Sequence, residues 1–293
     1  MDIHNQIINW KSKGKYFNVG AFKIWYHVHN PDHERTIVIL HGYPTCSFDY
    51  KNILKFFPEH RIVLHDYLGF GLSDKPSSEK YLLKEQADRA LALYKHLGLD
   101  DFCLFAHDYG TSVATEILSR DNEGEFEFTI SKLILSNGSM LINMSQLRPI
   151  QKMLKHDILG PVVARLANQN TFIRNMKNIW HDPSSINVNE LKILWLMLIM
   201  NGGRKVLPRI TKYIDQRYEN YDRWIVALKE TKIETLILWA ENDPVAVIEM
   251  ADVLQKYIPH NTKITISSSG HYPMIESPRI FSDEILAFLS SRT

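Results

Sequence analysis

The sequence predicts a doubly wound α/β fold, a mostly parallel sheet interrupted by a helical insertion, and three features predict it. Short apolar runs rich in branched residues are each stopped by Gly, Asp or Asn. Helix-length stretches separate these runs, and one long segment keeps helical spacing with no strand run inside it. Continuous apolar runs are what strands buried on both faces of a parallel sheet require. Their alternation with helices gives βαβ units, hence a layered architecture.

In chain order, TIVILHG, RIVLHDY, FCLFAHD and KLILSNG are the first four such runs. KYLLKEQADRALALYKHLGL, between the second and third, has helical spacing and ends in His-Leu-Gly, a C-terminal stop. After KLILSNG the pattern changes: MLINMSQLRPIQKML, ILGPVVARLANQ, NELKILWLMLIM and RWIVALKE read as helices. The alternation returns with TLILWAEND, VIEMADVLQKYI, TKITISS and FSDEILAFLSS. The chain thus divides into a core of residues 1–138 and 232–293 and a helical cap of residues 139–231. An insertion between two halves of one sheet lies over the carboxyl ends of the strands, where open α/β sheets bind ligands. Of its aromatic residues, Trp180, Trp195 and Trp224 are read mainly as packing for the insertion itself.

Composition narrows the function classes. The 293 residues, 45% of them apolar, suffice for one large core. With 34 basic against 33 acidic residues and no long like-charge run, neither nucleic acid nor an anionic membrane is expected as the main partner. Cys46 and Cys103 allow one disulfide at most, and Cys103 within FCLFA reads as a buried free thiol, which suits a reducing compartment. The N-terminus has no apolar core of signal-peptide length, and the apolar run Ile193 to Met200 is too short to cross a bilayer. A soluble, cytoplasmic protein is the expectation. No H-E-x-x-H or paired Cys-x-x-Cys occurs, so no metal or other cofactor is expected. The GFG of LGFGLSDKP lacks a following Gly-Lys-Ser/Thr and reads as a turn, not a phosphate loop.

Four strand-end motifs carry the chemistry. In FAHDYGTSVA a strand runs through a sharp turn into a helix, the layout of a nucleophile elbow, with Ala106, Asp108 and Gly110 in its three positions. Asp243 follows TLILWAEN and His271 lies in SSSGHYPMIESP, so the order is nucleophile, acid, histidine. HGYPTCS directly follows TIVIL and matches an H-G-x-P oxyanion loop. The backbone N–H groups of Tyr43 and Tyr109 are therefore the expected oxyanion donors. Singly, each has a plain structural reading: Asp108 as an acid at a helix N-terminus, Asp243 as a turn residue before proline, His271 as a surface histidine. Their combination and order argue for a site. His41 and His107 read as structural, bonded near their own loops.

HGYPTCSFDY, HDYLGFGLSDKP, AHDYGTSVA, AENDPV and GHYPMIESP resemble the successive signatures of the α/β-hydrolases with an aspartate nucleophile, the group of epoxide hydrolases and haloalkane dehalogenases. Within that group the stretches WKSKGKYF, GYPTCS, LGFGLSDKP, AHDYG, LSNG and KYIDQR are most similar to the mesoderm-specific transcript protein family. The resemblance runs from about Trp10 through the cap to the C-terminal region. It implies an Asp108–His271–Asp243 triad that works through a covalent alkyl ester. An aspartate is ionised near pH 7 and can displace at a saturated carbon, which a serine does not do unaided. The leaving group separates the two activities. A halide calls for N–H donors, commonly tryptophan after the nucleophile, where this chain has Tyr109; an epoxide oxygen calls for a hydroxyl proton, and KYIDQRYENYDRW offers Tyr213 and next Tyr218. Epoxide hydrolysis of a small or medium apolar substrate is the first expectation, haloalkane dehalogenation the alternative. An esterase and a noncatalytic binding protein on the same fold are further alternatives.

Overall fold

The computed structural model describes residues 2–291. The six apolar runs form β3 (Thr36–Leu40), β4 (Arg61–His65), β5 (Asp101–His107), β6 (Thr129–Ser136), β7 (Glu234–Ala240) and β8 (Asn261–Ile266), each parallel to its neighbours in this set. Two strands not singled out from the sequence precede them, β1 (Lys15–Val19) and β2 (Phe22–His29), an antiparallel hairpin whose second strand runs antiparallel to β4. The sheet order is β1-β2-β4-β3-β5-β6-β7-β8. β3 is buried along its whole length and β5 and β7 beyond their first residue, which is why their runs are continuous. β1 lies at the edge, exposed or half-buried throughout, so KYFNV shows no such run.

Helices α1 (Ile3–Ser12), α2 (Leu83–His96) and α3 (Tyr109–Asn122) precede the insertion. Between β6 and β7 come α4 (Pro149–Leu154), α5 (Leu159–Leu166), α6 (Gln169–Lys177), α7 (Val188–Ile199), α8 (Gly203–Thr211), α9 (Tyr213–Glu219) and α10 (Tyr221–Glu230). The core closes with α11 (Ile248–Tyr257), α12 (Pro273–Glu276) and α13 (Pro278–Ser290).

The stretch MLINMSQLRPIQKML is not one helix: a short 3₁₀ turn at Ile142–Met144 gives way to extended backbone, and α4 begins at Pro149. Proline pushes the residue before it out of helical space, and Arg148 sits at φ −69°, ψ 148°. α6 starts at an asparagine cap, with Asn168 Oδ1 accepting Thr171 N–H at 3.0 Å. The last inserted helix, α10, packs on α3, where Trp224 Nε1 donates to buried Glu116 at 2.8 Å. Cys46 and Cys103 are both buried and free. The LGFG stretch is a turn: Gly69 and Gly71 have positive φ, and Asp66 accepts Leu72 N–H at 2.7 Å and Ser47 N–H at 2.9 Å across it. No helix among the described residues is long and apolar enough to cross a membrane.

Candidate active site

β5 turns into α3 through Asp108, whose backbone stands at φ 47°, ψ −108°. The turn is tight. A Cβ on Gly110 would lie 2.4 Å from Leu40 O, and one on Gly42 would lie 2.8 Å from His107 Nδ1. Three donors converge on the Asp108 carbonyl and fix the bend: Thr111 Oγ1 at 2.6 Å, Thr111 N at 3.2 Å and Arg217 Nη2 at 3.1 Å. The side chain is then carried clear of the sheet, 3% exposed, at the floor of a cavity of about 340 Å³.

The two carboxylate oxygens of Asp108 have different neighbours. Oδ1 accepts Tyr43 N–H at 2.7 Å, whereas Oδ2 lies 3.7 Å from His271 Nε2. On the far side of the ring, His271 Nδ1 donates to Asp243 Oδ2 at 2.7 Å. Asp243 is held by four donors in all, since Val245 N and Ala246 N reach Oδ1 at 2.7 and 3.0 Å and Asn137 Nδ2 reaches Oδ2 at 2.8 Å. Asn137 sits at positive φ directly after β6 and also takes Ala240 N–H on its own Oδ1 at 3.0 Å.

The loop that bears His271 is bonded to the insertion. His271 N–H donates to Ile179 O at 2.9 Å, and Glu276 accepts backbone N–H groups from Gly270, Tyr272 and His181 at 3.0, 3.2 and 2.8 Å. Trp180 stacks on Tyr272, centroids 5.2 Å apart.

Charge follows from these contacts. Burial opposes a proton on His271, but the charge and hydrogen bond of Asp243, with Asp108 and Glu276 behind them, outweigh it and raise the ring to about 9. Burial, then the neighbouring His271, lowers His107 to about 4, and burial lowers His41 to about 4. Both rings are therefore neutral near pH 7. His107 Nε2 donates to His271 O at 2.8 Å; His41 Nδ1 donates to Gly42 O at 2.9 Å while its Nε2 accepts Tyr67 N–H at 3.2 Å.

Of the tyrosines singled out by sequence, Tyr43 lines the cavity, but Thr211 Oγ1 already gives its proton to Leu207 O and so accepts that of Tyr43 Oη at 2.8 Å. Tyr213 is buried with its ring 5.2 Å from those of both Tyr43 and Tyr109, and its oxygen accepts from Gln151 Nε2 at 3.1 Å, which leaves its own hydrogen unassigned. Burial and then Asp108 raise its pKa, while Arg217, 4.6 Å from the ring centroid, pulls the other way. Tyr109 opens α3, so its backbone N–H has no intrahelical acceptor. Tyr218 is 50% exposed, and neither it nor Tyr213 is among the residues that line the cavity, although Gln151, which donates to Tyr213, is.

Leu154, Phe172, Met176, Trp195 and Leu207 wall the buried part of the cavity, and Arg148, Asn168, Thr171, Asn175 and Asn178 form a more open polar rim. The rim was not read from the sequence, although Asn168, Thr171 and Asn175 recur at helical spacing beside Phe172 and Met176. Asn137 was also missed as a partner of Asp243; its only signal was the LSNG that ends β6. Trp195 lines the cavity, while Trp180 and Trp224 pack elsewhere.

Residues 35–278 match the family described as alpha/beta hydrolase fold. The chain is 33% identical to LipZ of Mycobacterium tuberculosis over 96% of either protein. It is 34% identical to the human mesoderm-specific transcript homolog protein, covering 97% of this chain and 88% of that one. Among solved structures, the epoxide hydrolase CorEH superposes with a TM-score of 0.79 at 16% identity, covering 94% of this chain and 98% of that one. The haloalkane dehalogenase DbeA from Bradyrhizobium elkani gives 0.79 at 18% identity, covering 94% and 97%. At such identities these two likenesses concern the fold.

Proposed function

The chain belongs to the alpha/beta hydrolase fold family, and from that premise we propose that this hydrolase works through a covalent ester on Asp108, with an epoxide as its substrate. One observation carries the reading: a buried carboxylate stands at the elbow with one oxygen bound to Tyr43 N–H and the other facing His271. In the first step Oδ2, free of the Tyr43 donor, attacks a ring carbon, and the epoxide C–O bond breaks. The alkoxide takes the Tyr213 proton. Gln151 supports that role for Tyr213, because it donates to the phenol oxygen and leaves the hydroxyl hydrogen free.

Esterification neutralises Asp108 and so removes one of the charges that hold a proton on His271; the ring releases that proton to solvent and regains it when the Asp108 carboxylate is restored. The neutral imidazole then draws a proton from water, and the hydroxide attacks the ester carbonyl carbon. Negative charge develops on Oδ1, already bonded to Tyr43 N–H, and the Tyr109 N–H, which has no intrahelical acceptor, is the second donor assigned to it. Collapse breaks the ester, the diol leaves with the imidazolium proton, and the remaining carboxyl proton returns to the Tyr213 oxygen.

Halide displacement is the second reading, favoured by Trp195: it lines the cavity, and its indole N–H has no hydrogen-bond partner among the described residues. A panel of epoxides, haloalkanes and esters, assayed for diol, halide and acid, decides between them. Acid from esters with neither diol nor halide would overturn both.

A further inference from the structure

The near-neutral balance of the chain hides an uneven distribution. Residues 139–231 carry fourteen Lys and Arg against seven Asp and Glu, whereas the whole chain has 34 against 33, so the insertion is net positive by seven and the remainder net negative by six.

On this positive insertion, α5 turns an apolar stripe to solvent. Gly160 and Ala164 are buried, while Leu159, Val162 and Leu166, spaced along the opposite face, are 50%, 52% and 72% exposed. Ile158 at 75% and Met153 of α4 at 42% extend it. Single exposed apolar side chains are ordinary; five gathered on one helix and its neighbour mark a contact surface. The acids nearby, Asp157 and Asp215, are each paired, with Lys212 and Lys155. Exposed Lys152 of α4, Arg165 of α5, and Lys205 and Arg209 of α8 make no ion pair among the described residues, and α4 and α8 both pack against α5. The stripe also borders the cavity, because Met153 lines it and so do Ala167 and Asn168 directly after α5.

We infer that the α4–α5 face docks peripherally on an anionic phospholipid surface, with the cavity mouth beside the contact. The apolar side chains would enter the headgroup boundary while the unpaired cations meet lipid phosphates. A second copy of the chain fits the face less well, since self-pairing would set unpaired cations against their own kind. The inference stands apart from the reaction chemistry, but it gives a substrate dissolved in lipid a short route to Asp108.

Flotation of the full chain with phosphatidylcholine vesicles, and with vesicles in which roughly one third of the lipid is phosphatidylglycerol, tests the inference. The unmodified protein should float with the anionic vesicles at low salt and much less with the neutral ones. Ile158→Glu with Leu166→Glu, and separately Lys152→Glu with Arg165→Glu, should each lower partitioning by on the order of tenfold or more with an unchanged thermal midpoint. Absence of flotation, equal flotation on neutral vesicles, or variants that float like the parent would overturn it. So would a concentration-dependent dimer in ultracentrifugation, abolished by the glutamate pair, in a protein that binds no vesicle.

Discussion

Asn137 and His271 share one oxygen of Asp243: Nδ2 of the first lies 2.8 Å and Nδ1 of the second 2.7 Å from Oδ2. The amide therefore sets the angle at which the carboxylate meets the ring, and its own oxygen satisfies the buried Ala240 N–H. Asn137→Gly keeps the positive φ without strain while deleting both bonds. Urea denaturation should show a loss of about 1–3 kcal/mol from the unpaired backbone group. Turnover of the best substrate in the panel should fall as well, with hydrolysis of the ester slowed more than its formation.

Asp108→Asn keeps the shape of the elbow residue and tolerates positive φ, but it removes the attacking carboxylate. Turnover should drop by about a thousandfold or more with the thermal midpoint retained. Residual activity near that of the parent would remove Asp108 from its assigned role.

How much of this was legible beforehand differs from residue to residue. The convergence of Asp108, Asp243 and His271 could be read because each follows a short apolar run, and a parallel sheet puts the ends of such runs on one edge. β1 and β2 could not be read in the same way, since a partly exposed hairpin leaves no continuous run. Asn137 and Arg217 were illegible for another reason. Each acts on a residue more than a hundred positions away in the chain, Asp243 and Asp108 respectively, and neither separation has a periodicity. Tyr213 and Tyr218 are close in sequence, yet α9 turns one inward and leaves the other half exposed.

His271→Gln should leave the first step possible while removing the base for the second. Mixed with an epoxide that the unmodified enzyme turns over, this variant should gain the whole substrate mass in intact-protein mass spectrometry, and peptide mapping should place the gain on Asp108. A haloalkane would add the substrate less hydrogen halide. An adduct on another side chain would identify a different nucleophile.

The elevated His271 proton affinity has a stability signature of definite sign. Its folded-state pKa of about 9 lies above the ordinary 6.5, so the stabilisation is fully present below 6.5 and disappears as pH rises through 9. Linkage puts the contribution at up to about 3 kcal/mol. Urea denaturation of the parent and of His271→Gln, from about pH 6 to about pH 10, should show the difference between them shrinking across that window. A constant difference would mean that the ring is not held protonated.

Gly270→Ala tests the bond between the histidine loop and the insertion. The new Cβ would lie 2.5 Å from Ile179 O and 2.7 Å from His181 N, so one side must move. A stability loss of about 1–3 kcal/mol is expected, with a lower kcat because His271 N–H loses its acceptor at Ile179. A parent-like variant would show that the loop tolerates the shift.

The Arg217 guanidinium bears on how this architecture can be recombined. It comes from α9 in the insertion, yet its Nε is donated to Ser112 on α3 at 2.8 Å and its Nη2 to the elbow carbonyl. The insertion therefore reaches beneath the elbow as well as over it. A chimera that exchanges residues 139–231 with a relative's also exchanges one of the three groups that hold the Asp108 bend. Transplants that preserve both the serine and the arginine should give folded hybrids far more often than those matched only at the cavity wall, and a shuffled library scored for soluble expression would reveal that pair as inherited together.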